Sequence, residues 1–379
     1  MVLVKKYYLL ILICAAILNP SLLVAEERPG FYSSEPRRLE LTKYEVSLIT
    51  SNGGSSTNGI STNIRCVGDN CVSDQFAHSG ISKSNTYGFR FVTPHLNKLS
   101  LGVLVNSAYA NSTNSTETWS GTNTSTNINT TKSINLNASY LLSPNTLVVG
   151  SIMQDRSSFA NQTQHIFDLK YYKRLNSNLS FSGNVGGLLW DDLLPNGFKH
   201  VGGSLNYTKS LDQVDLNGFF NLVRATTISR SQVSGIPTAS EDRYNKMGSG
   251  GSIHIKHDAS KFGLIGNFSV SDREGSPRDV SFGPQYIYTA PDFEISLTGN
   301  YIVSRLNNIA KPNHVVNYSD NVTKELRFRY VREIQDGYFL DSSILKSWNS
   351  NGSNIIGSEV QSESDAELWS LNFGVSRLF

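Results

Sequence analysis

The sequence predicts an all-β fold, a transmembrane antiparallel β-barrel of about sixteen strands, on three observations. Apolar residues recur at every second position in runs of about ten, the length a tilted strand needs to cross a bilayer. Connections between these runs alternate between tight turns and long polar segments. Beyond the N-terminus, no stretch reaches the ~20 apolar residues of a membrane-spanning helix.

The N-terminus reads as a secretory signal peptide over residues 1–25. Lys5 and Lys6 precede an apolar run from Tyr7 to Leu18, and Asn19-Pro20-Ser21 breaks it before Ala25 and Glu26-Glu27. Cys14 follows Ile13 rather than a small residue, which departs from a lipoprotein site. Residues 26–40 form a short periplasmic segment, and 41–379 the barrel. Removing residues 1–25 takes two lysines from the 33 basic residues and leaves 31 against 31 acidic ones. A mature chain without net positive charge argues against nucleic acid as a partner. Two cysteines remain, Cys66 and Cys71, in a chain bound for an oxidising space. A disulfide closing a small loop is the plain reading. Zinc would need two further ligands and only His78 is near, so no metal and no cofactor are expected.

The alternation is clearest in three places. Val214, Leu216, Gly218, Phe220 and Leu222 share one face, against Asp215, Asn217, Phe219, Asn221 and Val223. Phe293, Ile295, Leu297, Gly299, Tyr301 and Val303 oppose Glu294, Ser296, Thr298, Asn300 and Ile302, and a similar set starts at Leu179. Strands are expected near 41–50, 84–93, 99–110, 131–142, 147–154, 163–174, 179–189 and 199–210. Eight more follow near 214–224, 248–257, 262–271, 280–290, 293–303, 322–333, 338–347 and 366–379. Leu147–Met153 is apolar on both faces and Pro284 would remove a ladder bond, so the count spans 14–18. Tight turns at 94–98, 143–146, 175–178, 212–213, 258–261 and 290–292 lie on the periplasmic side. Long polar connections at 111–130, 225–247, 304–321 and 349–365 lie outside the cell. Phe91, Tyr140, Tyr171, Tyr207, Phe262, Phe293 and Tyr338 fall near the periplasmic strand ends, where an interfacial aromatic girdle belongs. Tyr109, Tyr301 and Trp369 fall near the opposite ends. In hydrocarbon an open sheet edge has no partners, so such strands must close on themselves.

The last segment, Trp369-Ser-Leu371-Asn-Phe373-Gly-Val375-Ser-Arg377-Leu-Phe379, resembles the C-terminal strand of bacterial outer-membrane β-barrel proteins. In that class this strand carries the signal read by the barrel assembly machinery. Phe379 matches the terminal aromatic, and Phe373 and Val375 match apolar positions before it. Arg377 stands where an aromatic or apolar residue is usual. Chain length and strand count resemble the general porins, whose third external loop narrows the pore. Here the third long-side connection, Asp155 to Asn161, is short. The segments 51–83, 111–130 and 225–247 are the remaining candidates to narrow a pore. The resemblance implies a porin-like channel for small hydrophilic solutes in the outer membrane of a Gram-negative bacterium, in contact with outer-membrane lipid, and often a homotrimer. A substrate-specific channel or a surface receptor or adhesin barrel is the second reading. No N-terminal plug is expected before the first strand.

About sixteen strands leave a water-filled interior. By alternation the inward, pore-lining candidates are Arg90, Lys170, Lys256, Glu294, Glu325, Arg327 and Arg329. Arg327 and Arg329 should face the lumen together and favour anionic or polar solutes, with Glu325 weakening the field. An ion-pair lattice bracing the wall is the competing role. Enzymatic patterns are poor. Ser51-Asn52-Gly53 lacks the His of outer-membrane phospholipases, with Ile49 in its place. Asp191-Asp192 with His200 only loosely resembles the acidic pair and His of outer-membrane proteases. The Asn-Ser-Thr segment 111–130 is too polar to bury and reads as a mobile surface loop.

Overall fold

The computed structural model describes residues 43–67, 70–118, 121–158, 162–189, 196–233, 236–273, 276–308, 316–335, 337–356 and 360–378. The signal peptide, Cys14, the segment 26–40, Asp191-Asp192 and Phe379 lie outside the described residues.

Sixteen strands close into one antiparallel barrel. The first eight are β1 Glu45–Val67, β2 Asn70–Val92, β3 Leu99–Thr118, β4 Gly121–Ser143, β5 Thr146–Ser157, β6 Gln162–Arg174, β7 Leu179–Leu189 and β8 Asn196–Ser210. The rest are β9 Val214–Val233, β10 Ile236–His257, β11 Ser260–Ser271, β12 Arg278–Thr289, β13 Phe293–Asn308, β14 Val316–Gln335, β15 Tyr338–Ile356 and β16 Val360–Leu378. Every strand pairs with its sequence neighbours, and β16 closes on β1 from Glu45↔Leu378 to Thr62↔Gln361. Each of the sixteen sequence runs falls in its own strand.

Four long connections are not loops. The β1–β2 ladder continues to Val67↔Asn70, β3–β4 to Thr118↔Gly121, β9–β10 to Val233↔Ile236 and β15–β16 to Ile355↔Val360. The described residues of segments 51–83, 111–130, 225–247 and 349–365 therefore extend the wall outward as paired strand. In particular, the expected mobile loop 111–130 is a hairpin. Apolar alternation stops where lipid stops, but the hydrogen-bonding ladder does not. Threonine is β-branched and suits a pleated strand with water on both sides.

Wall height is consequently uneven. A 23-residue strand such as β1 rises roughly 55 Å when tilted by ~40–45°, about twice the ~25 Å apolar band of such barrels. β5, β6, β7, β11 and β12, of 11 to 13 residues, rise only about that band's height.

The turns carry their own chemistry. Asp258-Ala259 joins β10 to β11 as a two-residue hairpin loop with Asp258 at φ 51°, the left-handed conformation that such turns require. Pro284 stays inside β12, facing outward, and the β12–β13 ladder breaks around it between Phe282↔Tyr301 and Gln285↔Thr298. Gly283 makes this tolerable. A Cβ there would collide with the Gly299 carbonyl oxygen.

Leu48, Phe89, Leu136, Ile152, Phe220, Leu264, Phe282 and Ile344 all stand exposed on the outer face. A belt of this size on a soluble protein would be an aggregation surface, whereas on a barrel it is the lipid contact. Aromatic pairs edge it on the periplasmic side: Tyr44–Phe91, Tyr171–Phe181, Phe262–Tyr286, Tyr288–Phe293 and Phe293–Tyr330, with centroids 4.7 to 6.5 Å apart. Arg377 lies on the same outer face, its guanidinium 4.6 Å from the Tyr338 ring centroid. A long cation at the water edge of this girdle can snorkel, so its departure from the apolar pattern is accommodated.

Candidate functional site

The inner face of the barrel gathers the polar chemistry. Cross-strand partners share a face, so the register alone assigns each side chain. Arg90 faces inward opposite Ser47, and its Nη1 lies 3.5 Å from Glu45 Oε1. Lys170 faces inward, with Nζ 3.1 Å from Asp168 Oδ2, and His200 Nε2 stands 3.8 Å from Asp168 Oδ1. His200 is thus part of a lumen ion cluster.

Lys256 belongs to a three-member cluster built by the Asp258 turn. That turn sets Lys256 opposite Lys261 on the inner face. Two facing ammonium groups repel unless an anion bridges them, and Asp215 of β9 does so. Its Oδ1 lies 3.1 Å from Lys256 Nζ and its Oδ2 2.9 Å from Lys261 Nζ. Ser210 Oγ accepts from Lys256 Nζ at 2.9 Å and donates to Asp215 Oδ1 at 2.6 Å.

Glu294 is buried on the inner face opposite Val331, with Thr289 Oγ1 donating to its Oε2 at 3.5 Å. Glu325, Arg327 and Arg329 all point inward, while Leu326, Phe328 and Tyr330 between and beside them point to lipid. Arg329 and Arg327 do not act as a pair. Arg329 makes two parallel hydrogen bonds to Asp341 of β15, and Arg327 is exposed to the lumen with no acidic partner among the described residues. The expected twin-arginine field reduces to one free guanidinium beside one neutralised one.

Between these clusters the wall is neutral and polar. His254 Nε2 shares a 2.7 Å hydrogen bond with Gln285 Oε1, and Gln285 Nε2 donates to Thr298 Oγ1 at 3.1 Å. Asn217 Nδ2 donates to Ser252, Asn206 Nδ2 to Ser204 and Asn372 Nδ2 to Ser343, each at 3.1 Å. Asparagines repeatedly lie opposite inward glycines: Gly88↔Asn106, Gly102↔Asn137, Gly202↔Asn184, Gly248↔Asn221 and Gly250↔Asn267. In each pair the Asn amide occupies the space a glycine Cβ would need. The amides therefore lie over the neighbouring strand, which keeps the lumen wide at these levels.

The sequence reading missed Glu45, Asp215, Lys261 and Asp341. All four are partners set by cross-strand register. For Lys261 a signal existed, because a two-residue turn at Asp258-Ala259 forces Lys256 and Lys261 into opposition. Cys66 and Cys71 are direct register partners at the outer end of the β1–β2 hairpin, and their side chains lie outside the described residues. Phe373 and Val375 face outward, opposite Thr50 and Leu48 of β1.

A closed antiparallel barrel with an apolar aromatic-edged exterior and a polar, ion-paired interior is a transmembrane β-barrel of the outer-membrane type. Three solved structures overlap this chain over most of its length. Pseudomonas aeruginosa OccK7 (OpdD) overlaps with a TM-score of 0.48 and 8% identity, covering 89% of this chain and 99% of that one. Pseudomonas aeruginosa OpdK with vanillate gives 0.46 and 7%, covering 89% and 100%. Acinetobacter baumannii OccAB4 gives 0.40 and 10%, covering 89% and 99%. No protein-family model and no curated protein matches the chain.

Proposed function

We propose that this chain is a porin-like channel of a Gram-negative outer membrane, exported by its N-terminal signal peptide and passing small hydrophilic solutes. The observation that carries the reading is the lumen itself. Sixteen strands enclose a space too wide for side chains to fill, and its walls are lined by amides, hydroxyls and mostly neutralised charges. Arg327 is the pore-lining residue offered to passing solutes, while Arg90, Lys170, Lys256, Glu294 and Arg329 brace the wall. The Asp168–Lys170 ion pair and the neighbouring His200 are read as part of the lumen wall, and no catalytic role is assigned to them. Insertion by the barrel assembly machinery, through Phe373, Val375 and Phe379, and homotrimer formation belong to the same reading.

The test is single-channel conductance of the refolded mature protein in planar bilayers, with reversal potentials in a salt gradient. Stepwise conductance supports the channel; a sealed bilayer with correctly folded protein overturns it. A surface receptor is favoured by one observation, the hairpins β1–β2, β3–β4 and β9–β10 standing well above the apolar band. That reading would survive a sealed bilayer.

A further inference from the structure

Cations mark the outer edge of the lipid-facing band. Lys83 on β2, Lys132 on β4 and Arg156 on β5 are all exposed and all project outward. Each stands about ten residues from the periplasmic end of its strand, which is roughly 24 Å of rise, the height at which the apolar band ends. On the same face nearer the periplasm lie Phe89, Leu136, Ile134 and Ile152, each at least 41% exposed.

Lys132 and Arg156 are direct cross-strand partners. Like charges so opposed destabilise a sheet, and no acid among the described residues lies beside them. The one outward carboxylate described on β2 to β6 is Glu117, far out near the tip of the β3–β4 hairpin. Several outward cations elsewhere on the perimeter have acids beside them. Arg243 Nη2 lies 3.0 Å from Glu241 Oε2 and Lys346 Nζ 2.5 Å from Glu367 Oε2. Asp272, held below the usual carboxylate range by hydrogen bonds from Asn245, also feels Arg224. Arg278 and Arg305 on β12 and β13 are a second directly opposed outward pair, and Arg305 has Asp320 as its register partner on β14; Lys132 and Arg156 have no acid in register on either neighbouring strand.

The register completes the site. Tyr87, Ser107, Lys132 and Arg156 form one continuous outward row across four strands, at the ~4.8 Å spacing of adjacent strands. Because the strands tilt, the row climbs from Tyr87, which is 61% exposed within the apolar band, through Ser107 to Lys132 and Arg156 side by side at the headgroup layer. We infer that the opposed pair Lys132 and Arg156 at the top of this row binds the phosphate of an anionic lipid in the outer leaflet. A phosphate carried on acyl chains reaches this height with its chains lying over Ile134, Leu136 and Ile152. A free phosphate gains nothing from those contacts. The inference rests on the membrane orientation, with tight turns in the periplasm, and is independent of whether the lumen conducts.

The full mature protein is reconstituted in three vesicle types: phosphatidylcholine alone, phosphatidylcholine with bisphosphorylated lipid A, and phosphatidylcholine with the dephosphorylated lipid. Thermal unfolding is read by loss of the heat-modifiable folded band. Bisphosphorylated lipid A should raise the midpoint of the wild type, since a ligand of the folded state stabilises it. The Lys132→Gln/Arg156→Gln variant should need about tenfold more of that lipid for the same rise. Lys173→Gln, which removes an exposed outward cation at the periplasmic end of β6, should behave as wild type. The dephosphorylated lipid should produce no rise. Equal lipid dependence in the wild type and the double variant overturns the inference. So does the same rise from millimolar inorganic phosphate in phosphatidylcholine vesicles, which would assign the row to a soluble anion. Should the double variant fail to give the folded band, Lys132→Gln alone is read by the same criteria.

Discussion

Arg329 Nε donates to Asp341 Oδ1 at 3.1 Å and its Nη2 to Asp341 Oδ2 at 2.7 Å, a bidentate clasp between adjacent strands of the inner wall. Two residues earlier on the same face, Arg327 has no acidic partner among the described residues. One strand thus holds two arginines of equal charge, one clasped to a carboxylate and one without an acid beside it among the described residues.

The two should separate on substitution. Arg327→Ser removes a free positive charge from the path of ions and should shift selectivity toward cations, with folding unchanged. Arg329→Ser leaves Asp341 without its clasp and should cost on the order of 1 kcal/mol, because both groups keep some water. Reversal potentials and urea unfolding of both variants give the comparison. Identical effects on selectivity would mean that the clasp does not neutralise Arg329.

Phe328 lies between these arginines in sequence and on the opposite side of the wall, 39% exposed to lipid. Phe328→Arg moves a charge into hydrocarbon and should destabilise the barrel by roughly 2–4 kcal/mol. Reversible unfolding in phospholipid vesicles measures this. A neutral result would put Phe328 in the lumen and the strand register out by one.

Gly283 and Pro284 make opposite predictions within one β12 segment. Gly283→Val drives a side chain into the Gly299 carbonyl and should cost about 1–3 kcal/mol or more, as overpacking does. Pro284→Ala faces lipid and restores a ladder donor, so it should be close to neutral or stabilising. The heat-modifiability midpoints of the two variants decide the matter, and a harmless Gly283→Val would refute the close approach of β12 and β13.

Cys66 and Cys71 are direct register partners. They should be oxidised to one another in protein taken from the cell envelope. Alkylation without reductant should then modify neither, and mass shifts for two free thiols would remove the disulfide.

Period-two patterning carried nearly all of the membrane-embedded fold. Runs such as Phe293 to Val303 display one face to lipid and one to water, and each appears as a strand. The wall outside the membrane was illegible for the same reason. Thr122 to Thr131 has water on both sides, so nothing in its composition alternates, and it pairs all the same. Inward direction was readable for Lys256 and Arg329, but their partners Asp215 and Asp341 lie across hydrogen-bonded neighbours. Which residue faces which depends on turn geometry and barrel stagger, and a linear pattern states neither.

The low β5–β7 and β11–β12 walls beside the tall hairpins give the outer mouth sides as well as a top. If the barrel conducts, a molecule diffusing within the headgroup layer would meet the described wall at its lowest in these sectors. Entry then draws on a search in two dimensions along the membrane surface, in addition to the three-dimensional search from bulk water. Shortening the tall hairpins would change the second route while leaving the first intact.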